Sequence, residues 1–68
     1  MYAVIQQSNG AFLVKFEGAN LNSMKYNYHN LCAQLWNDSE AIDAVVKLVD
    51  GNLDTVDGCV EFIQHDAK

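Results

Sequence analysis

Arginine and proline are both absent from this 68-residue chain, and its apolar runs are all short. A transmembrane helix needs about 20 mostly apolar residues in succession, and the chain offers no such segment. Nucleic-acid-binding surfaces use Lys and Arg to neutralise phosphates, whereas the four lysines here are scattered along the chain. An anionic membrane surface attracts basic segments in the same way. We therefore expect neither direct nucleic-acid binding nor membrane binding.

Cysteine is scarce as well, with only Cys32 and Cys59 present. The first residues lack the basic and then apolar layout of a secretory signal. We predict a cytoplasmic protein, and cysteines stay reduced in that compartment. The length predicts a single domain, 1–68, that buries only roughly 60% of the surface of its unfolded chain. Chains this small often gain stability from oligomerisation or a partner.

Acidic residues are the feature that the chain has in excess. Nine Asp and Glu oppose four Lys, which leaves a net charge of −5. Eight of the nine acids fall within residues 38–68, so the second half is predicted to carry a concentrated anionic surface. Such a surface steers cationic partners towards itself. The alternative is that the charge serves solubility alone.

Residues 2–17 are predicted to form a β-hairpin around Asn9-Gly10, because a type I′ turn favours these two residues. Pairing across that turn places Ala3 opposite Phe16, and alternation along the strands then defines two faces. The more apolar set predicts the core face: Ala3, Ile5, Phe12, Val14 and Phe16. The opposite face is half apolar and includes Tyr2, Val4 and Leu13.

A first helix is predicted over residues 24–36, because apolar residues recur there at helical spacing. Its stripe comprises Met24, Tyr28, Leu31 and Leu35, with Asn22 or Ser23 as the N-cap. Residues 24–29 also alternate in polarity, so a strand at this point is the alternative.

A second helix is predicted after residues 37–40, which resemble a capping box. Its apolar face would comprise Ile42, Val45, Val46 and Val49, and Gly51 would end it.

The last segment predicts a second hairpin with Asp57-Gly58 as its turn and strands at 53–56 and 59–63. A single strand over 59–64 is the alternative, because the hairpin would set Asp54 directly opposite Glu61. The predicted fold class is therefore α+β: a small antiparallel sheet with two helices packed on one face.

One set of oxygen ligands has the spacing of a calcium loop. Asp50, Asn52, Asp54 and Glu61 occupy positions one, three, five and twelve of an EF-hand-like segment. Thr55 stands where the loop needs Gly for its sharp turn, so we favour an acidic turn and expect no metal or cofactor.

Two histidines and two cysteines raise the question of zinc or of nucleophilic catalysis. His29 and Cys32 are three residues apart on the first predicted helix, and Cys59 and His65 lie near the end. Their spacing matches no standard zinc pattern. A nucleophile also needs an oriented base and a pocket, and no motif supplies them, so we predict that the protein is not an enzyme.

The leading functional prediction is an acidic protein-binding module that blocks a basic, nucleic-acid-binding groove on a larger protein. In size and charge the chain resembles, in style only, the small inhibitors of phages and mobile elements, including anti-CRISPR and other anti-defence or host-takeover proteins. The predicted acidic contact residues are Glu40, Asp43, Asp50, Asp54 and Asp57. The predicted aromatic and apolar contact residues are Tyr2, Leu13, Tyr26 and Trp36.

Two alternatives remain open. One is a structural homo-oligomer, such as a homodimer, that pairs through the face of Tyr2, Val4 and Leu13 together with Trp36. The other is a calcium-responsive domain that uses the Asp50–Glu61 loop.

Overall fold

The computed structural model describes residues 1–38 and 43–65. The elements in that part of the chain are β1 (Tyr2–Ser8), β2 (Ala11–Gly18), α1 (Leu21–Asn37), β3 (Ala44–Val49) and β4 (Thr55–Ile63). The strands form one antiparallel sheet in the order β2-β1-β3-β4. The α+β class is confirmed, with one helix in the described residues where two were predicted.

The N-terminal hairpin is confirmed. Asn9 and Gly10 both have positive φ, 54° and 77°, as a type I′ turn requires. Strand pairing follows the predicted register from the turn as far as Ile5 opposite Val14. It then shifts by one residue, so that Phe16 pairs with Val4 and not with Ala3. A β-bulge of this kind adds one unpaired residue to a strand and increases its twist.

The predicted core face of this hairpin is wrong. Val4 is fully buried, whereas Phe12 and Val14 are well exposed. The face of Tyr2 and Val4 is the one that packs under α1. The prediction failed because apolar residues line both faces of these strands, and alternation alone does not say which face receives the helix.

Helix α1 is confirmed at residues 24–29, where a strand was the alternative. It begins earlier than predicted because Asn20, not Asn22 or Ser23, is the N-cap. The backbone N–H of Ser23 donates to the side-chain oxygen of Asn20 at 3.0 Å, which satisfies one of the free amides of the first turn. The buried stripe of α1 comprises Met24, Tyr28, Leu31 and Cys32.

The second predicted helix is wrong over residues 44–49, which form β3. Its start at residues 39–42 lies outside the described residues. A short run rich in Val fits a buried strand as well as a helical stripe, and β-branched residues pack well on a pleated sheet. Pairing with β1 and β4 on both sides supplies the backbone hydrogen bonds that decide the outcome.

The second hairpin is also wrong. A single strand, the alternative, forms in its place, but it covers Thr55–Ile63 and not the predicted 59–64. Strand β4 runs without a turn through Asp57-Gly58, where the pairing with β3 is irregular. Gly58 has a φ of 77° at this irregularity. The reversal lies earlier: Leu53 N–H donates to the carbonyl of Asp50 at 3.0 Å.

The core forms between α1 and one face of the sheet. Its fully buried sheet residues are Val4, Val46, Leu48 and Ile63. Strands β2 and β3 run parallel with β1 between them, because each is antiparallel to β1. Helix α1 connects them, and such crossovers are right-handed in nearly all sheets. A right-handed crossover places α1 on one particular face, whatever the side-chain pattern of the strands.

Candidate functional site

The sheet face opposite α1 is built from three rows of residues in register. The row nearest the β1–β2 turn contains Phe12, Gln7, Val45 and Phe62. The middle row contains Val14, Ile5, Lys47 and Val60. The row at the far end contains Glu17, Ala3, Val49 and Thr55; Val49 in this row is buried, with 3% of its surface exposed. Paired residues point to the same side of a sheet, so these twelve residues form one surface, which we call the open face.

Large apolar side chains stand on the two outer strands of the open face. Phe12 is 69% exposed and Phe62 is 64% exposed at the two ends of the first row. Val14 and Val60 occupy the ends of the middle row, with 58% and 37% of their surface exposed. An antiparallel sheet with one solvated face normally carries polar residues there. The open face is therefore rich in apolar residues, as a hydrophobic core is, although α1 packs on the other face.

The open face carries two charged residues, and they have opposite signs. Lys47 lies in the middle row on β3, and Glu17 lies in the neighbouring row on β2. Both are exposed. These two charges cancel, whereas the whole chain has a net charge of −5.

Three of the predicted acidic contact residues lie at or near the β3–β4 connection. The Oδ1 atom of Asp50 accepts hydrogen bonds from the backbone N–H groups of Asn52, at 2.9 Å, and Asp54, at 3.1 Å. This carboxylate is therefore used to shape its own turn. Asp54 and Asp57 follow as exposed residues in the same segment.

The other acidic residues do not join that group. Asp43 precedes β3 and Asp50 follows it, so about 23 Å of extended chain separates them. The side chain of Asp43 accepts a hydrogen bond from the backbone N–H of His65 at 3.0 Å. Glu40 lies outside the described residues. The predicted acidic face is thus divided between two ends of the sheet.

The predicted aromatic and apolar contact residues are scattered. Tyr2 is half-buried beside the core, and Leu13 projects from β2 on the same side of the sheet as α1. Tyr26 is exposed on the helix. Trp36 donates from Nε1 to Glu61 at 2.7 Å, which ties the end of α1 to β4. The imidazole of His65 adds to this tie, because it donates to the carbonyl of Leu35 at 2.9 Å.

The geometry gives little support to the zinc and nucleophile hypotheses for the cysteines and histidines. Cys32 is buried in the core, and burial raises the pKa of its thiol to about 11. A thiol with so high a pKa stays protonated at neutral pH and is a poor nucleophile. His29, three residues earlier, is exposed, and the centroid of its ring lies 5.0 Å from the ring centroid of Tyr28. The pair is therefore divided between core and surface.

The oxygen ligands of the calcium hypothesis are likewise dispersed. Strands, not helices, flank the Asp50 turn, and the carboxylate of Glu61 is bonded to Trp36 on the helix side. Within residues 1–38 and 43–65, no three His, Cys, Asp or Glu side chains come together in a way that could hold a metal ion.

The open face itself was missed by the sequence reasoning, which assigned Phe12 and Val14 to the core and the segment of Val45 to a helix. A usable signal did exist. Apolar residues occur on both faces of β1, β2 and β3, and a single short helix cannot cover two faces of a sheet.

No protein-family model, curated protein or solved structure matches this chain. No helix in the described part of the chain combines the length and apolar character needed to cross a membrane. Over the described ranges, 1–38 and 43–65, the fold is a small α+β domain in which α1 covers one face of the sheet, while the outer strands β2 and β4 carry exposed apolar side chains on the other face.

Proposed function

We propose that this chain is a non-enzymatic protein-binding module whose contact surface is the open face of the sheet. The observation that carries the proposal is the exposure of Phe12, Val14, Val60 and Phe62 on a single face. Contiguous apolar patches of this kind on small proteins usually mark interaction sites.

The size of the face supports the proposal. Four strands about 4.8 Å apart and three rows about 7 Å apart outline a flat area of roughly 400 Å². Eight of the twelve positions are apolar, so the apolar part of this area, about 270 Å², is close to the lower end of the roughly 300 to 600 Å² that the largest patch on a typical monomer covers. Two Phe rings stand in this patch, and aromatic residues are enriched in protein interfaces.

A second candidate, the acidic inhibitor of a basic nucleic-acid-binding groove, has separate support. The net charge is −5 with no arginine, and Asp50, Asp54 and Asp57 lie within eight residues of one another. Such a cluster would meet cationic side chains on a larger protein and accelerate encounter at low salt. Its likeness in size and charge to phage-encoded anti-defence proteins belongs to this candidate.

The experiment that separates the two candidates is affinity capture from a bacterial lysate by three immobilised chains, followed by mass spectrometry. They are the wild type, the double variant Phe12→Ser/Phe62→Ser, and the double variant Asp54→Lys/Asp57→Lys. All four substituted side chains are exposed, so each variant should keep its fold, which circular dichroism checks. Asp50 is left unchanged because its carboxylate supports the turn.

A partner retained by the acidic variant and lost by the Phe variant is expected from the open-face proposal. The reverse pattern is expected from the acidic inhibitor. Recovery of the same proteins in equal amounts by all three chains would contradict both.

A further inference from the structure

We infer that the open face is the contact surface for a second copy of this chain, with the two sheets packed face to face about a two-fold axis. This inference rests on the proposed function, since it names the partner of the same surface. The axis runs along the strands, midway between β1 and β3.

The distribution of apolar residues suits this symmetry. A two-fold rotation about an axis along the strands preserves the position of each row and reverses the order of the strands. Strand β2 of one copy then lies over β4 of the other, because these are the two outer strands. Phe12 meets Phe62 of the second copy, and Val14 meets Val60, each contact occurring twice. A two-fold interface requires such self-complementarity.

The two charges of the open face also become complementary. Glu17 lies on β2 and Lys47 on β3, one row apart. After the rotation, Glu17 of the second copy lies over β4, which is the neighbour of β3. With sheets about 10 Å apart, the two Cα atoms are about 13 Å from each other, and the extended side chains together span that gap. Each Lys47 thus pairs with the carboxylate of Glu17 from the second copy. Without this partner, an ammonium group in a closed interface would be strongly unfavourable.

The remaining charge does not oppose this arrangement. Of the nine acids in the chain, Glu17 is the only one among the twelve open-face residues. Among the described residues, the other carboxylates stand outside these twelve positions, where salt screens their repulsion. The area of about 400 Å² per copy gives about 800 Å² in total, which is below the roughly 1,200 to 2,000 Å² of standard specific interfaces, so we expect a weak dimer that dissociates on dilution below millimolar concentration.

The test is sedimentation equilibrium of the purified full chain from micromolar to millimolar concentration. Four variants accompany the wild type: Lys47→Glu, Glu17→Lys, the double swap of both, and Lys25→Glu as the matched control. Lys25 lies on α1, so its reversal changes the net charge as Lys47→Glu does without touching the open face.

We expect the wild type to dimerise, and each single reversal on the open face to raise the dissociation constant by about tenfold or more. The double swap has the wild-type net charge and should return the constant to within about threefold of its original value, because the pair is restored with its signs exchanged. Lys25→Glu should leave the constant nearly unchanged.

A wild type that stays monomeric throughout overturns the inference. So does a dimer that is indifferent to all three open-face variants, because it must use another surface. The proposed function can hold even when this inference is wrong. If the chain is monomeric and the Phe12→Ser/Phe62→Ser variant still loses a captured protein, the open face binds a different partner and only the inference is wrong.

Discussion

The two faces of the sheet are similar in composition, but apolar residues on the outer strands of the open face are far more exposed than those on the covered face. Val46 on the covered face has no exposed surface, whereas Val14 on the open face is more than half exposed. Both positions are valines on strands, but Val46 lies on the inner strand β3, whereas Val14 lies on the edge strand β2 and on the face that α1 does not cover. The difference teaches that burial in a domain this small is limited by the number of layers, because a single helix can cover only one side of a sheet.

The largest expected effect comes from shortening the same side chain on each face. Val46→Ala should lower the free energy of unfolding by about 3 kcal/mol, because two methyl groups leave a packed core and a cavity remains. Val14→Ala should change it by about 0.5 kcal/mol or less. Urea denaturation, performed on dilute protein so that association does not contribute, measures both. Equal losses would show that the two faces are equally buried in solution.

Alkaline pH should act on the covered face through Cys32 and Tyr28. Burial raises the pKa of Cys32 to about 11, from 9.0 in the unfolded chain, and raises that of Tyr28 above its ordinary 10.0. Above pH 9 the unfolded state loses the thiol proton first, so it binds fewer protons than the native state and stability falls as pH rises. From Cys32 we expect a loss of about 2 kcal/mol between pH 9 and 11.

The control for this pH effect is Cys32→Ala. The variant should start from a lower stability at pH 7 and show a shallower decline between pH 9 and 10, because only the phenol of Tyr28, and no longer the thiol, then contributes from the covered face. Thermal unfolding followed by circular dichroism across this range measures the slope. An identical slope in both proteins would assign the alkaline loss to other groups.

A smaller loss of stability is expected at the N-cap of α1, the helix that covers one face of the sheet and not the other. Asn20→Ala removes the acceptor of the Ser23 N–H bond and should cost about 1 kcal/mol. Asn22→Ala is the matched control, because Asn22 lies inside the first turn and alanine has the higher helix propensity there. The control should be neutral or slightly stabilising in urea titrations. If Asn22→Ala lowers stability as much as Asn20→Ala does, the side chain of Asn20 is not the N-cap that stabilises α1.

The smallest expected effect is an increase in stability, from a substitution at an exposed apolar residue that belongs to neither face. Leu53 has a φ of 67°, in the left-handed region, at the tip of the β3–β4 connection. Asn9 adopts a similar conformation in the other turn, but asparagine tolerates it well. Leu53→Asn should therefore raise stability by up to about 1 kcal/mol. Leu53→Ala, which keeps the unfavourable conformation, should raise it less, and calorimetry compares the two.

Several elements followed from local sequence because local forces set them. Asn9-Gly10 prefers the left-handed conformations of a type I′ turn, so the hairpin needed no tertiary information. The stripe of Met24, Tyr28 and Leu31 has helical spacing and sufficient length. The acidic, arginine-free composition is likewise a property of the sequence alone, and it determines the charge that any partner must accommodate.

Tertiary structure decided the rest. Residues 44–49 became a strand because β1 and β4 offered hydrogen bonds on both sides, and a short apolar run carries no period that settles its conformation. Strand β4 continues through Asp57-Gly58 because the irregular pairing with β3 accepts the glycine at positive φ. The identity of the covered face depends on how the connection through α1 crosses the sheet, a property of the whole chain path that no single strand encodes.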